Sequence, residues 1–361
     1  GNLLFFYVCL LCFLTTLFFN NDGSILITTP IIIHILTLLN LKSHEKLPYL
    51  FAGALVATAS SAPIAVSNLA NLIALRIVGL DINAYVALMF VPTMVGIVTL
   101  GGILYLYFRK DIPQKIPLLS SSSPSSALPH TLFHPHRHHP LMEGLEGKGE
   151  IDYSLFRLCI GIVILTRSAL FLGSSLGIPM AVVALIGAIS LILVRWRWKG
   201  MGIRDVLKNS PWSIFLFAFS IYVVIHALHL VGLTSFLVDQ LEPLITKGHK
   251  EAILVTGLWV TVMANLFNNI PAVMIGTLTL TEMDLGMETL QLAYLANIVG
   301  SDLGALMLPM GTLATLLWMY LLRKNKIFLS WSQYIQVVIF AVPVSTAVTL
   351  FSLYLWSRLF F

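Results

Sequence analysis

Two pairs of adjacent amides stand where apolar chain would otherwise run unbroken. Asn268 and Asn269, with Pro271 just after them, interrupt 263–276, and Asn20, Asn21 and Asp22 interrupt two apolar arms near the first residue. In lipid each unpaired backbone or amide group costs several kcal/mol, so such breaks belong where the chain faces protein or water. Proline removes a donor and clashes one turn back, so a helix is expected to stop near Asn269 and restart at Pro271. A restarting helix presents free N–H groups and the positive end of its dipole. That chemistry suits the binding of a small polar ligand or an ion.

Each double amide is followed further along by a second polar stretch. The first, 58–71, holds Ser60, Ser61, Ser67, Asn68 and Asn71; the second, 297–304, holds Asn297, Ser301 and Asp302 and continues to Thr312. Residues 67–72 read Ser-Asn-Leu-Ala-Asn-Leu and 311–316 read Gly-Thr-Leu-Ala-Thr-Leu, alike in character at every position. Interrupted apolar segments at corresponding places in two halves point to the binding site of a transporter. Kinked helices packed through small residues would give breaks of this kind, but not their recurrence in matching order. Asp22 and Asp302 lie in the breaks, apart from every basic loop. Keeping an acid ionised inside a membrane is costly, so each is a candidate proton carrier. Each could also cap a helix restart by accepting from free N–H groups.

The elements that must position these residues follow from composition. The chain has 361 residues, 58% hydrophobic and 10% charged, with a mean hydropathy of +0.90. Soluble domains carry roughly 25% charged residues; this is an integral membrane protein. Its net charge of +5 resides in short loops, a topology signal that gives no reason to expect nucleic acid. Cys9, Cys12 and Cys159 offer no disulfide framework. Cys9 and Cys12 read as packing residues, since a tight dithiolate would hold its cargo too firmly for release. The histidines of 134–139 read as incidental to a flexible loop. No metal site, cofactor or enzymatic nucleophile–base pair is expected.

The fold expected is all-α and polytopic, two inverted repeats that each contain a re-entrant helical hairpin and a broken transmembrane helix. The first repeat, 1–110, comprises a hairpin over 3–40, a broken helix over 49–75 and a span over 84–108. Two arms this short fit a hairpin better than two crossings, because a span needs about 20 apolar residues. A disordered cytoplasmic linker covers 111–150. The second repeat, 151–361, has spans at 155–172, 179–194 and 211–231, a hairpin over 251–281, a broken helix over 289–322 and a last span over 333–356. The three spans ahead of the second hairpin have no counterpart ahead of the first, so about three helices are expected to precede Gly1 in the full protein. If both hairpins return to the side they entered, the basic loops 42–46, 109–157, 195–208 and 323–326 share the cytoplasmic face. The acidic turn 282–288, read as a solvated surface, then lies outside. The hairpins open to opposite sides.

The sequence resembles the ArsB-type arsenite efflux permeases of the ion-transporter superfamily. The resemblance rests on Phe19-Asn-Asn-Asp-Gly with Thr29-Pro30, on 63–71, on Asn268-Asn-Ile-Pro271, and on 297–304 through 311–318. Phe108-Arg-Lys-Asp-Ile-Pro113 and Pro211-Trp-Ser-Ile214 fit the same family. It covers nearly the whole chain outside 114–150. It implies the inverted-repeat fold, with hairpin tips and broken helices meeting at the midplane of the plasma (inner) membrane. It also implies export of arsenite or antimonite in exchange for protons, in some members with a separate cytosolic ATPase subunit. Where the family often has an acid, Thr58 stands, and where it often has Pro-Lys, this chain has Ala305-Leu306.

Arsenite at neutral pH is a small uncharged trihydroxyl molecule. It asks for convergent donors and acceptors, which amides and hydroxyls supply. The candidate substrate-binding residues are Asn21, Ser60, Ser61, Ser67, Asn68, Asn71, Asn268, Asn269, Ser301 and Thr312, with Asp22 and Asp302 for proton coupling. The same residues would serve a sodium-coupled carrier of a small anion or carboxylate. A non-transporting sensor or scaffold would leave the repeated breaks without a purpose.

Overall fold

A computed structural model describes residues 1–114, 152–176, 178–200, 202–209 and 212–360. Its regular structure there is helical, and the chain divides into one compact unit of 1–116 with 216–361 and a second of 117–215. Among the described residues seven helices are long and apolar enough to cross a membrane, and a bent pair makes an eighth. The expectation of a polytopic helical membrane protein is met. The His-rich run and nearly all of the linker lie outside the described residues.

In the larger unit, α1 (Asn2–Phe18) and α2 (Asn21–Leu38) lie against each other and against α3 (Ser43–Ala59). After a gap the chain resumes as α4 (Leu69–Val78) and then α5 (Ile82–Phe108). The later part repeats this order. There α11 (His249–Phe267) and α12 (Asn269–Glu282) pack on α13 (Met287–Asp302), and α14 (Leu313–Lys324) and α15 (Trp331–Ser357) follow. The two sets interlock, because α2 also packs on α14 and α12 on α4. The apolar core formed here brings Leu36, Phe51 and Leu100 together with Trp318, Tyr334 and Val338.

The second unit contains α6 (Tyr153–Ser175), α7 (Met180–Lys199) and α8 (Ile203–Asn209). Its two long helices are only 6% buried along their apolar windows, whereas Met287–Met307 is 83% buried. The contrast has a direct physical reading. Apolar side chains all round suit a helix that meets lipid, while polar side chains and broken backbone must be enclosed by protein.

Several boundaries differ from the sequence expectation. The second hairpin turns at Asn268, and α12 already begins at Asn269 rather than Pro271. Proline is tolerated in a first helical turn, whose N–H groups have no intrahelical partner anyway. Likewise α2 begins at Asn21, so its break is confined to Phe19 and Asn20. Arg195 to Lys199 complete α7 instead of forming a loop; Gly200, at φ +65, ends that helix. The sequence reading passed over α10 (Leu233–Ile245), which continues α9 (Trp212–Leu230) after a 73° bend at Gly232, φ +91. The acidic turn is exposed at Glu282, Asp284 and Glu288, as expected of a solvated surface, and makes two contacts. Glu282 lies 2.8 Å from His229 Nδ1, and the Asp284 N–H donates to Glu242.

Candidate functional site

The two helix gaps are built from small and polar residues buried in protein. The α3 helix ends where the Ser60 hydroxyl donates to the Val56 carbonyl, and Pro63 disfavours helix at the residue before it. Ser60, Ser61, Ser67 and Asn68 are buried along the gap that follows. The second gap, after Asp302, passes through short 3-10 turns at Gly304–Met307 and Pro309–Gly311. Two glycines are required there by close approach. A Cβ on Gly311 would collide with the Ala305 carbonyl oxygen, and one on Gly304 with the Thr261 hydroxyl. Asn265 pins this gap to α11, its amide donating to the Thr261 and Gly304 carbonyls and its oxygen accepting from the Leu308 N–H.

The first gap closes around a carboxylate supplied by the second. Asp302, 1% exposed, receives the Ser61 hydroxyl at 2.9 Å and the Asn71 amide at 2.6 Å on Oδ2, and the Asn68 amide at 2.8 Å on Oδ1. All three donors are neutral. The Tyr294 hydroxyl donates to the Asn71 carbonyl, and the Tyr85 hydroxyl to the Ala62 carbonyl, fixing the backbone on either side of those donors. Asp22 lies in the first turn of α2. Of the candidates, Asp302 is thus brought together with Ser61, Asn68 and Asn71 from the other half.

The halves correspond in detail. Asn20 and Asn268 directly precede α2 and α12, and Asn68 and Thr312 directly precede α4 and α14. Tyr85 and Tyr334 are both the fourth residue of the next long helix. Each donates to a carbonyl in the preceding gap, of Ala62 and of Leu306, six positions before Asn68 and Thr312 respectively. By this register Thr58 occupies the place of Asp302, and Ala305 the place of Ser61.

The two hairpin tips differ. The Asn20 side chain accepts from the Gly23 N–H, capping α2 on extended backbone. Asn268 has φ +82 and ψ 155 and makes no such cap. That region of backbone space is almost confined to glycine, and strain of about 1–3 kcal/mol clusters at functional sites. Its amide reaches the Met310 carbonyl in the second gap at 3.0 Å.

Not every candidate hydroxyl is free to bind a ligand. Ser60 and Ser301 donate to carbonyls of their own helices, and Thr312 caps α14 by accepting from the Thr315 N–H. The Asn21 oxygen accepts from the Asp22 N–H. By contrast Asp22 Oδ1, Ser67 Oγ, Asn71 Oδ1, Asn268 Oδ1 and Asn269 Oδ1 are buried without a hydrogen-bond partner among the described residues. Unpaired buried acceptors are costly and call for an explanation. Tyr85, Tyr294, Tyr334 and Asn265 were absent from the sequence-based candidates. Apart from the Thr261 carbonyl, one turn before Asn265, their partners are backbone carbonyls and an N–H far away in the chain, which leave no local pattern.

Helices interrupted in matching places, closed around an enclosed acid with unspent polar groups beside it, define a multi-pass membrane protein built as transporters are. The sequence profile of the arsenical pump membrane proteins matches residues 1–134 and 142–357. A Bacillus subtilis (strain 168) protein provisionally named arsenical pump membrane protein is 46% identical over 356 residues, 99% of this chain and 79% of its own length. The arsenical pump membrane proteins of Escherichia coli (strain K12) and Yersinia enterocolitica are 32% and 30% identical over 345 residues, 95% of this chain and 75% of theirs. The chain belongs to the arsenical pump membrane protein family. It is a membrane transporter, embedded in the plasma membrane by multiple helices.

Proposed function

We propose that the protein exports arsenite and antimonite in exchange for protons by alternating access. Family membership supports the cargo. The single observation that carries the coupling is the Asp302 carboxylate, enclosed by neutral donors from the other half's gap. A carboxyl so placed can accept a proton without stranding a counter-charge, and three donors can hold it when it is ionised.

The cargo needs acceptors and donors of modest strength, so that it can leave again. Ser67, Asn71 and Asn269 have unspent buried acceptor atoms, and these are the strongest candidates for contact with arsenic-bound hydroxyls. Ser60, Ser301 and Thr312 serve chiefly to shape the gaps. Asp22, in the first turn of α2, supplies a second acid.

In the working cycle a proton entering from outside neutralises Asp302, the cargo leaves outward, and each hairpin moves with the broken helix it packs on. The hairpins are re-entrant and the repeats inverted, so that the basic loops face the cytoplasm. The test is Asp302→Asn, which keeps the shape and removes the titration. The variant should reach the membrane at normal levels and lose proton-driven arsenite efflux. Undiminished arsenite resistance in cells carrying it would end the proposal. Replacing sodium in the same assay separates a sodium-coupled carrier, and depleting ATP separates an arrangement driven by a cytosolic ATPase subunit.

A further inference from the structure

The Ser61 hydroxyl has one proton and two acceptors. It lies 2.8 Å from the Thr58 carbonyl oxygen and 2.9 Å from Asp302 Oδ2, in geometry that suits donation to either. A hydroxyl donates once but accepts as well. Both short contacts can be full two-centre hydrogen bonds at the same moment only if Asp302 Oδ2 carries a proton and donates it to Ser61 Oγ, leaving Ser61 to donate to Thr58; with Asp302 ionised they must share one proton. When Asp302 is ionised, the Ser61 proton belongs on the carboxylate, the stronger acceptor, and the Thr58 carbonyl loses its hydroxyl partner.

We infer that Ser61 is a positioning residue whose proton alternates between Asp302 and the Thr58 carbonyl, reporting the protonation of the second gap to the last turn of α3. The inference rests on the proposal that Asp302 binds the coupled proton. The step balances: a proton delivered from the outer solution as hydronium, which is left as water, adds to Oδ2, the Ser61 O–H rotates from Oδ2 to the Thr58 oxygen, and no covalent bond of Ser61 breaks. Asn68 and Asn71 hold the carboxyl in place throughout, since amide N–H groups can donate to either form.

Three features favour this over a merely structural serine. Ser61 and Asp302 are both fully enclosed, so water does not compete for the hydroxyl. The Thr58 carbonyl keeps its bond from the Ser61 N–H at 3.2 Å, so the switch changes a second bond without unravelling the helix end. In the corresponding place of the other gap stands Ala305, opposite no acid, so the relay exists on one side alone. The titratable groups beside the cluster are Tyr85 from α5 and Tyr294 on α13 itself, whose neutral hydroxyls donate to the Ala62 and Asn71 carbonyls; Asp22, on α2, is the other candidate acid.

The test is an acid-minus-alkaline infrared difference spectrum of the purified full chain in lipid. The carboxylic-acid C=O band lost in Asp302→Asn is the band of Asp302. In Ser61→Ala it should move to higher frequency, because the acid O–H has lost its acceptor. It should stay in place in Ser60→Ala, whose hydroxyl donates to Val56 alone. If Ser61→Ala does not fold, Ser61→Cys should move the band in the same direction by less, its sulfur being a weaker acceptor. A band present in the wild type, lost in Asp302→Asn and unmoved in the Ser61 variants would overturn the relay alone. A wild type without that band, or an Asp302→Asn variant that keeps it, would overturn the proton site and the relay together.

Discussion

At the scale of single residues, the site is a balance between groups already spent and groups left over. Asn71 is the most demanding position, because its amide holds Asp302 while its own oxygen has no partner among the described residues. Asn71→Ala removes a hydrogen bond to a buried charge, worth about 1.5–3 kcal/mol. Arsenite efflux at equal expression should fall about tenfold to a hundredfold, at roughly 1.4 kcal/mol per decade. Asn68→Ala should do the same through the other carboxylate oxygen. Efflux near normal in both would remove the donors from the working machinery.

Asp302, Ser61, Asn68 and Asn71 could be picked from the sequence because they are polar residues in places where polarity is costly. Which of them meet could not, because Ser61 and Asp302 are 241 residues apart. The sequence also could not show that Ser60, Ser301 and Thr312 would be satisfied by their own helix ends. A hydroxyl bonded one turn back looks the same in sequence as one aimed into a cavity.

At the scale of elements, the two gaps keep their form through backbone contacts more than through helix propensity. Gly311→Ala puts a Cβ against the Ala305 carbonyl, which cannot give way as a flexible side chain would. The variant should be lost from the membrane or melt far below the wild type in a detergent thermal-shift assay. Asn265→Ala leaves the Leu308 N–H without its partner, at a cost of about 1–3 kcal/mol. It should lower the melting temperature measurably while preserving some transport. Wild-type melting in both would mean that the gaps are held by something else.

The helices themselves were readable to within a few residues, since long apolar runs leave little choice. The errors have local causes. Pro271 was read as a helix start, yet a first turn accommodates it two positions further in. The α10 helix was missed because Asp239, Glu242 and Pro243 break its apolar pattern, and its burial comes from packing on α11 and α12. The tyrosines that pin the gaps were invisible for the same reason as the Asp302 cluster: their partners are tertiary.

At the scale of the whole molecule, the halves are interlocked rather than merely joined. Each second hairpin arm lies on the restarted helix of the opposite half, so movement of either hairpin must be felt at the other gap. The Asp302 cluster lies at that crossing, where a proton can bias both. The repeat was visible in sequence as matching breaks. Its use was not, because only folding shows that one gap supplies the acid and the other its donors.

The most direct measurement is arsenite uptake into everted membrane vesicles depleted of ATP and sodium, with the lumen made acidic. The account predicts uptake that rises with the imposed pH difference, collapses with a protonophore and is absent in Asp302→Asn vesicles. Uptake indifferent to the pH difference, or equal in wild-type and Asp302→Asn vesicles, would contradict it.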